Sequence, residues 1–426
     1  MGLHPTARAQ LPSVEPATPQ PWGPAALIVA LNALAWVSYS AIGICAPAIG
    51  QSFGVPAAES LGFPAAVALG LVTAMPLTPW LVGRWGFRRV SIGCSLGLSA
   101  ACLLAAVAPE PRSLMACLLL VGFTSAPLSP SSQALVMVRF SPGRQSFGMA
   151  LWNAGGMLGL LLGSLGAGSL SQAVGWRAIF LLSVPVALAS LWLLVREPEP
   201  AELVGKRPAF TFQMILLAGT TMALGGLLNL GPRLGWTSAG TIAIALVVLS
   251  LSGLYAWSYR GTSPPVLDWA VLRWPVFRLC VIFSLAISAF STGQFENMML
   301  GAERHFGPAL LGWRAALGGL AAVGGAFLGA RALRTGGFSQ ALWISLGVLL
   351  AGKLGFTQYG SPELSLFSAL WPQIVSSLGY GMAGTVLSAP QRFRAFQRLS
   401  MPRPPPCTAW CGSSGTPWGS QGSIAS

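Results

Sequence analysis

Ten acidic residues are spread over 426 positions, and nine of them fall in tails or near the ends of apolar runs. The tenth, Glu296 in STGQFENMML, stands inside one. A carboxylate at membrane depth is expensive, and it is retained where its change of charge is used, as in proton relays. Glu296 lies 18 residues beyond Arg278. That is about 27 Å along a helix, in the outer half of a span or at its outer interface. It reads either as an interfacial carboxylate or as a proton-coupling or substrate group. Lys353 lies 13 residues beyond Gln340 in another apolar run. It can snorkel outward or pair with Glu296.

Uncharged polar side chains recur at helical spacing in three runs. Asn32, Trp36, Tyr39, Ser40 and Gly43 share one face. GFTSAPLSPSSQAL carries Ser129 and Gln133 beside Pro127 and Pro130, which should kink it. Gln373, Ser376, Ser377 and Tyr380 form a third stripe. Such groups either hydrogen-bond between helices or line a cavity. A cavity of this lining suits a lipophilic or neutral organic molecule; a strongly cationic one would want a buried acid.

The elements that must position these groups are membrane helices. The chain is 54% hydrophobic and 8% charged, with a mean hydropathy of +0.67. A soluble domain sits near 25% charged. A span needs about 20 apolar residues. Twelve such segments are predicted, at about 25–49, 60–83, 90–108, 113–138, 145–170, 176–195, 210–230, 240–258, 277–298, 313–330, 340–358 and 363–387. The fold class is therefore all-α and polytopic.

The formal charge of +14 is scattered through short loops. That fits membrane topology rather than nucleic acid. Assigning loops alternately puts thirteen basic residues on one side, including Arg84, Arg139, Lys206 and Arg273. Six fall on the other: Arg112, Arg177, Arg233, Arg304, Arg314 and Lys353. The first side is read as cytoplasmic, with the N-terminus inside a cell or inner membrane. The cysteines form no framework, and Cys407 and Cys411 are weak evidence for a metal. There is no phosphate-cradling loop, and nothing supports a Ser/His/acid site, so neither an enzyme nor a cofactor is implied.

PWLVGRWGFRRVSIG packs Arg84, Arg88 and Arg89 beside Gly86. Its R-x-G returns at Arg334–Gly336, again between two apolar runs, which suggests a two-half repeat. A glycine there suits a turn of positive φ. The stretch resembles the helix 2–3 loop signature of the major facilitator superfamily. The echo falls eight helices later rather than six, as in the fourteen-helix drug:proton antiporter branch. GWRAIFLLSVP, LGWTSAG and PPVLDWAVLRWPVFR are similar to further motifs of that branch. The resemblance implies a secondary transporter, an exporter of small lipophilic or neutral organic compounds by alternating access, with protons as the candidate coupling ion; the chain is expected to work as a monomer. It also gives Arg84, Gly86, Arg88, Arg89, Arg334 and Gly336 a role in conformational exchange. Gly159 and Gly163 match the antiporter motif of the fifth helix. Titratable positions of the family are missing: the loop Asp is Gly83, the first-helix Asp and Thr are Ser38 and Ser40, and the membrane arginine is Leu118. The motif's Pro and last Gly are Leu160 and Ser164.

The expected organisation is a disordered tail over 1–24, a six-helix half over 25–195, a linker with two inserted helices over 196–258, four helices of a second half over 259–387, and a basic, Pro-rich disordered tail over 388–426. The tail begins where a thirteenth helix should, which points to a frameshift or truncation. A non-functional transporter or a membrane scaffold or channel is the alternative reading. Topology reporters inserted at Arg139, Lys206 and Arg273 are expected to read cytoplasmic, and those at Arg112 and Arg233 external. Lys206 outside would overturn the assignment.

Overall fold

The computed structural model describes residues 22–141, 144–198, 212–259, 273, 275–289, 296, 300, 306–360 and 365–388. The expectations for residues 1–21, for Lys206 and for 389–426 fall outside them. Among the described residues ten helical stretches are long and apolar enough to cross a membrane. In lipid the backbone has no water to bond, so each span must satisfy its own amides and carbonyls as a helix.

The first stretch is α1 (Trp22–Ser52). It starts three residues inside the expected tail. A one-turn helix α2 (Ala57–Ser60) leads to α3 (Gly62–Ala74). A 3-10 turn at Met75–Leu77, carrying Pro76, joins α3 to α4 (Thr78–Trp85). Then come α5 (Phe87–Ala106), α6 (Pro111–Ser125) and α7 (Leu128–Arg139). The last two are one predicted segment, broken at Ala126–Pro127 where proline removes a backbone donor. α8 (Gln145–Ala173) and α9 (Ser183–Arg196) complete the first six spans. α10 (Phe212–Leu234) and α11 (Ala239–Tyr259) follow. The remaining helices are α12 (Pro275–Ala289), α13 (Pro308–Thr335), α14 (Gly337–Gly355) and α15 (Leu366–Ser388).

Two of the twelve predicted segments are not among the ten. The segment 277–298 is represented by α12, whose apolar part is Phe277–Ser288. α15 has the length, at 23 residues, but carries Pro372, Gln373, Ser376 and Ser377 on its apolar frame. The segment expected at 313–330 is longer than predicted, because Pro308 after Gly307 starts α13 more than a turn earlier. That extension moves Arg314 from an external loop into the second turn of a helix.

Helix packing follows small residues. Without a hydrophobic drive between helices in lipid, close approach supplies the dispersion contacts. Gly155, Gly159 and Gly163 recur every fourth residue on α8 and face the backbone of Val29, Ala33 and Val37 on α1. Gly168 and Gly312 bring α8 against α13 in the same way, and Gly325 and Gly329 seat α13 on the carbonyls of Leu378 and Met382 in α15. α8 therefore touches both α1 and α13. α1 is the most enclosed span, with 78% of its apolar window buried, against 22% for α10 and 11% for α11. α10 and α11 are peripheral: α10 packs on α11 and α3, while Leu246, Leu249 and Trp257 point outward as lipid-facing residues do.

The arginine-rich turn is built around Gly86, at φ 85°, between α4 and α5. Arg84 and Arg89 are exposed. Arg88 donates to the Val195 carbonyl at 2.8 Å, and Arg139 to the Pro198 carbonyl at 2.8 Å. The first caps the end of α9, where helix carbonyls lack intrahelical donors; the second holds the chain just beyond that end. In the echo the positive φ belongs to Gly337, at 75°, and not to Gly336, at −110°.

A Cβ at Gly159 would overlap Ala33 backbone, whereas one at Gly347 meets nothing. Gly159→Val is expected to destabilise the protein by about 1–3 kcal/mol or more, and Gly347→Val by no more than about 0.5 kcal/mol. Thermal unfolding of detergent-purified variants measures the difference; equal melting temperatures would remove the close crossing from the account.

Candidate functional site

Arg314 is the largest fully buried side chain, at 1% exposure. It sits about 9 Å into α13, at 1.5 Å per residue. Around it converge the end of α14, the 3-10 turn Phe356–Gly360 and the first two turns of α15. Its Nε donates to the Ala369 carbonyl at 3.2 Å. One terminal nitrogen lies 3.2 Å from Glu296 Oε2, 3.1 Å from the Tyr359 hydroxyl and 3.1 Å from Gln373 Oε1. Tyr359 in turn donates to the Ala369 carbonyl at 2.7 Å. Phe356 and Tyr359 stack edge to face at 5.0 Å and close the cluster from the turn side.

Glu296 is buried, at 6% exposure. Its second oxygen, Oε1, accepts from Lys353 Nζ at 2.7 Å. The pairing offered as one reading of the sequence is thus present, with a second cation added. Burial of an ion is tolerated when every charge is paired and hydrogen-bonded, and the carboxylate here has a cationic donor on each oxygen.

Beside this cluster lies a cavity of about 460 Å³ between α1 and α8 on one side and α12 to α15 on the other. Of the sequence candidates, Trp36, Tyr39, Ser40, Gln373, Ser377 and Tyr380 line it. Asn32, Ser129 and Gln133 are not among its lining residues. Asn32 is buried and donates to the Trp152 carbonyl at 2.6 Å, and Trp152 Nε1 donates to the Ser129 carbonyl at 3.1 Å. Those three residues belong to interhelical bonding or to the helix body. Sequence periodicity did not single out Ser164, Ser288 or Met157, which also line the cavity.

Two positions that depart from the family pattern meet here. Ser40 and Ser164 hydroxyls lie 2.6 Å apart, and both lie within hydrogen-bond reach of the Leu160 carbonyl, at 2.8 Å and 2.7 Å, so that one hydroxyl donates to the carbonyl while the other donates to that hydroxyl. The missing family arginine is Leu118, fully buried in the first half. Among the described residues the fully buried cation is Arg314, on α13. Its signal in the sequence was an arginine seven residues into an apolar run that opens with Gly-Pro. Placed in a loop by the topology count, it was not a candidate.

Removing one partner of a buried ion pair costs about 3–5 kcal/mol, because the other charge is left unpaired. Arg314→Gln is expected to lower stability by about that amount. The double variant Arg314→Gln/Glu296→Gln should recover part of it, with a coupling of about 0.5–3 kcal/mol. Unfolding of the four proteins in detergent measures the cycle, and strictly additive losses would mean that the pair does not act as one.

Comparison with known proteins bears on what this arrangement serves. A sequence profile of the Major Facilitator Superfamily matches residues 28–393. Fatty acid resistance protein FarB of Neisseria gonorrhoeae is 25% identical over 260 residues, 57% of this chain and 50% of that protein. Methylenomycin A resistance protein of Streptomyces coelicolor is 29% identical over 212 residues, 47% of this chain and 44% of that protein. Multidrug export protein EmrB of Escherichia coli K12 is 23% identical over 249 residues, 57% of this chain and 48% of that protein. The chain spans about half the length of the curated relatives it matches. A POT family transporter in complex with 5-aminolevulinic acid shares the fold, with a TM-score of 0.61 at 15% identity over 85% of this chain and 82% of that one. With the profile covering most of the chain, the helices and motifs described above are those of a multi-pass membrane protein that belongs to the Major Facilitator Superfamily.

Proposed function

We propose that the chain works as a secondary transporter of the efflux type, moving small lipophilic organic compounds across the cell membrane by alternating access. The observation that carries this reading is the cavity itself. It lies between the first-half helices α1 and α8 and the second-half helices α12 to α15, and a buried ion cluster abuts one wall. A volume near 460 Å³ lies within the range of about 300–1,000 Å³ usual for small-molecule sites. Membership of the superfamily supports transport rather than enzymatic turnover. The printed names of the relatives, two of them resistance proteins and one an export protein, support the outward direction.

In this reading Glu296 is the proton-coupling group. Protonation removes the one negative charge shared by Arg314 and Lys353, so it changes the charge balance of the cavity wall. The Arg84–Arg89 turn acts on exchange between states: Arg88 and Arg139 hold the first half together as a body, and Gly86 sets the turn. The small-residue crossing of α8 with α13 is where the halves rock. The protein is taken to act as a monomer in the bilayer, with its N-terminus cytoplasmic and no nucleic-acid partner.

Glu296→Gln is expected to abolish accumulation driven by a pH gradient while leaving downhill flux. Flux of a lipophilic dye in proteoliposomes, with and without the gradient, reads both. Undiminished concentrative transport by the variant would move the coupling to another group or ion.

A further inference from the structure

Among the described residues that line the cavity, one side chain carries a charge, and it is Lys353. Its side chain is 15% exposed, against 8% for Glu296 and 2% for Arg314. The three charges thus stand in series, with Lys353 facing the cavity, Glu296 behind it and Arg314 deepest. Glu296 has a separate hold on each neighbour, Oε1 on Lys353 and Oε2 on Arg314. Arg314 is fixed in turn by Ala369, Tyr359 and Gln373. Lys353 can therefore leave Glu296 without stranding the carboxylate, because Arg314 keeps it.

The rest of the lining is neutral: apolar or hydroxylic apart from the Gln373 amide and the Trp36 indole. Met157, Leu160, Ala315 and Leu349 offer an apolar surface, while Tyr39 and Ser376 offer hydroxyls. A cation presented to such a cavity selects ligands by sign. A compact ammonium with three donors can engage an incoming carboxylate while it still touches Glu296, and charge-assisted bonds of this type are about twice as strong as neutral ones. A cationic ligand would instead meet a like charge at the wall.

We propose that the cavity takes amphipathic organic acids, an apolar body bearing one carboxylate, and that Lys353 binds the carboxylate by exchanging Glu296 for it while Arg314 retains Glu296. This rests on the reading of the cavity as the transport site and narrows its substrate class. The exchange is a trade of ion pairs and needs no bond making beyond hydrogen bonds.

The test uses the full chain, purified and placed in lipid nanodiscs. The probes are three fluorescent molecules with one apolar body and different ends: a carboxylic acid, its methyl ester and a trimethylammonium. The wild type is expected to bind the acid at least about tenfold more tightly than either of the others, a difference of about 1.4 kcal/mol. Lys353→Gln should bring acid and ester within about twofold, and Lys353→Arg should keep the preference. Thermal unfolding of each variant separates loss of binding from loss of fold, and if Lys353→Gln fails to fold, a Lys353→Arg protein that binds the ester as tightly as the acid overturns the proposal. So does a wild type that binds ester or ammonium as tightly as acid, or a folded Lys353→Gln that keeps the acid preference. Flux of the same probes in proteoliposomes tests the underlying reading separately. Equal flux of all three leaves transport standing and removes the charge selection. Tight, Lys353-dependent acid binding with no flux of any probe keeps the anion site and removes the transporter.

Discussion

A guanidinium with 1% exposure in the interior of a helical bundle sets the terms for everything around it. An arginine cannot shed its charge, so it must be met by acceptors on all sides. Arg314 finds them in a carboxylate, a phenol, a side-chain amide and a main-chain carbonyl. These come from separate stretches of chain: residue 296, the turn after α14 and the start of α15. The ends of three helices are thereby pinned at one level of the bundle. The site exists because that convergence leaves Lys353 on the cavity side of the same carboxylate.

Convergence of this kind requires helices that come close, and the small residues supply it. Gly318 faces Gln373 and Ser377, Gly352 faces the backbone of Ser376, and Gly379 faces the backbone of Leu349. A side chain at any of these would push α13, α14 and α15 apart and lengthen the bonds of the ion cluster. On the other half the same device, Gly155–Gly159–Gly163, lays α8 on α1. Backbone packing and polar chemistry are thus two parts of one design: the glycines fix distances that the charges need.

The sequence made the membrane class and most of the helical spans legible, because hydropathy and length are properties of contiguous residues. It made Glu296 legible for a related reason, since a lone acid in an apolar run stands out. The cavity-facing residues of α1 and α15 could be read from helical spacing. Arg314 could not, because its position depended on where α13 begins. Gly307–Pro308 moves that start by more than a turn, and hydropathy averaging over a window hides such a shift. The Ser40–Ser164 contact was hidden for another reason. Each residue is unremarkable alone, and their meeting is set by a helix crossing that joins positions 124 residues apart, which no local pattern encodes.

The two walls of the cavity differ in what they can do. On α1 and α8 the polar groups satisfy one another: Ser40, Ser164 and the Leu160 carbonyl form a small ring of polar atoms that shares two hydroxyl hydrogens. A neutral ring of that sort has no charge to exchange and holds α1 to α8 whatever occupies the cavity. On α13, α14 and α15 the polar groups are ions, and their pairing depends on which charges are present. The departures from the family pattern at Ser38, Ser40 and Leu118 leave those positions of the first half without titratable groups. The described ion pairs lie instead on the helices that follow the inserted pair, where each lies within reach of Glu296. The charge at this cavity therefore sits on one wall, while the polar groups of the opposite wall are neutral and bonded to one another.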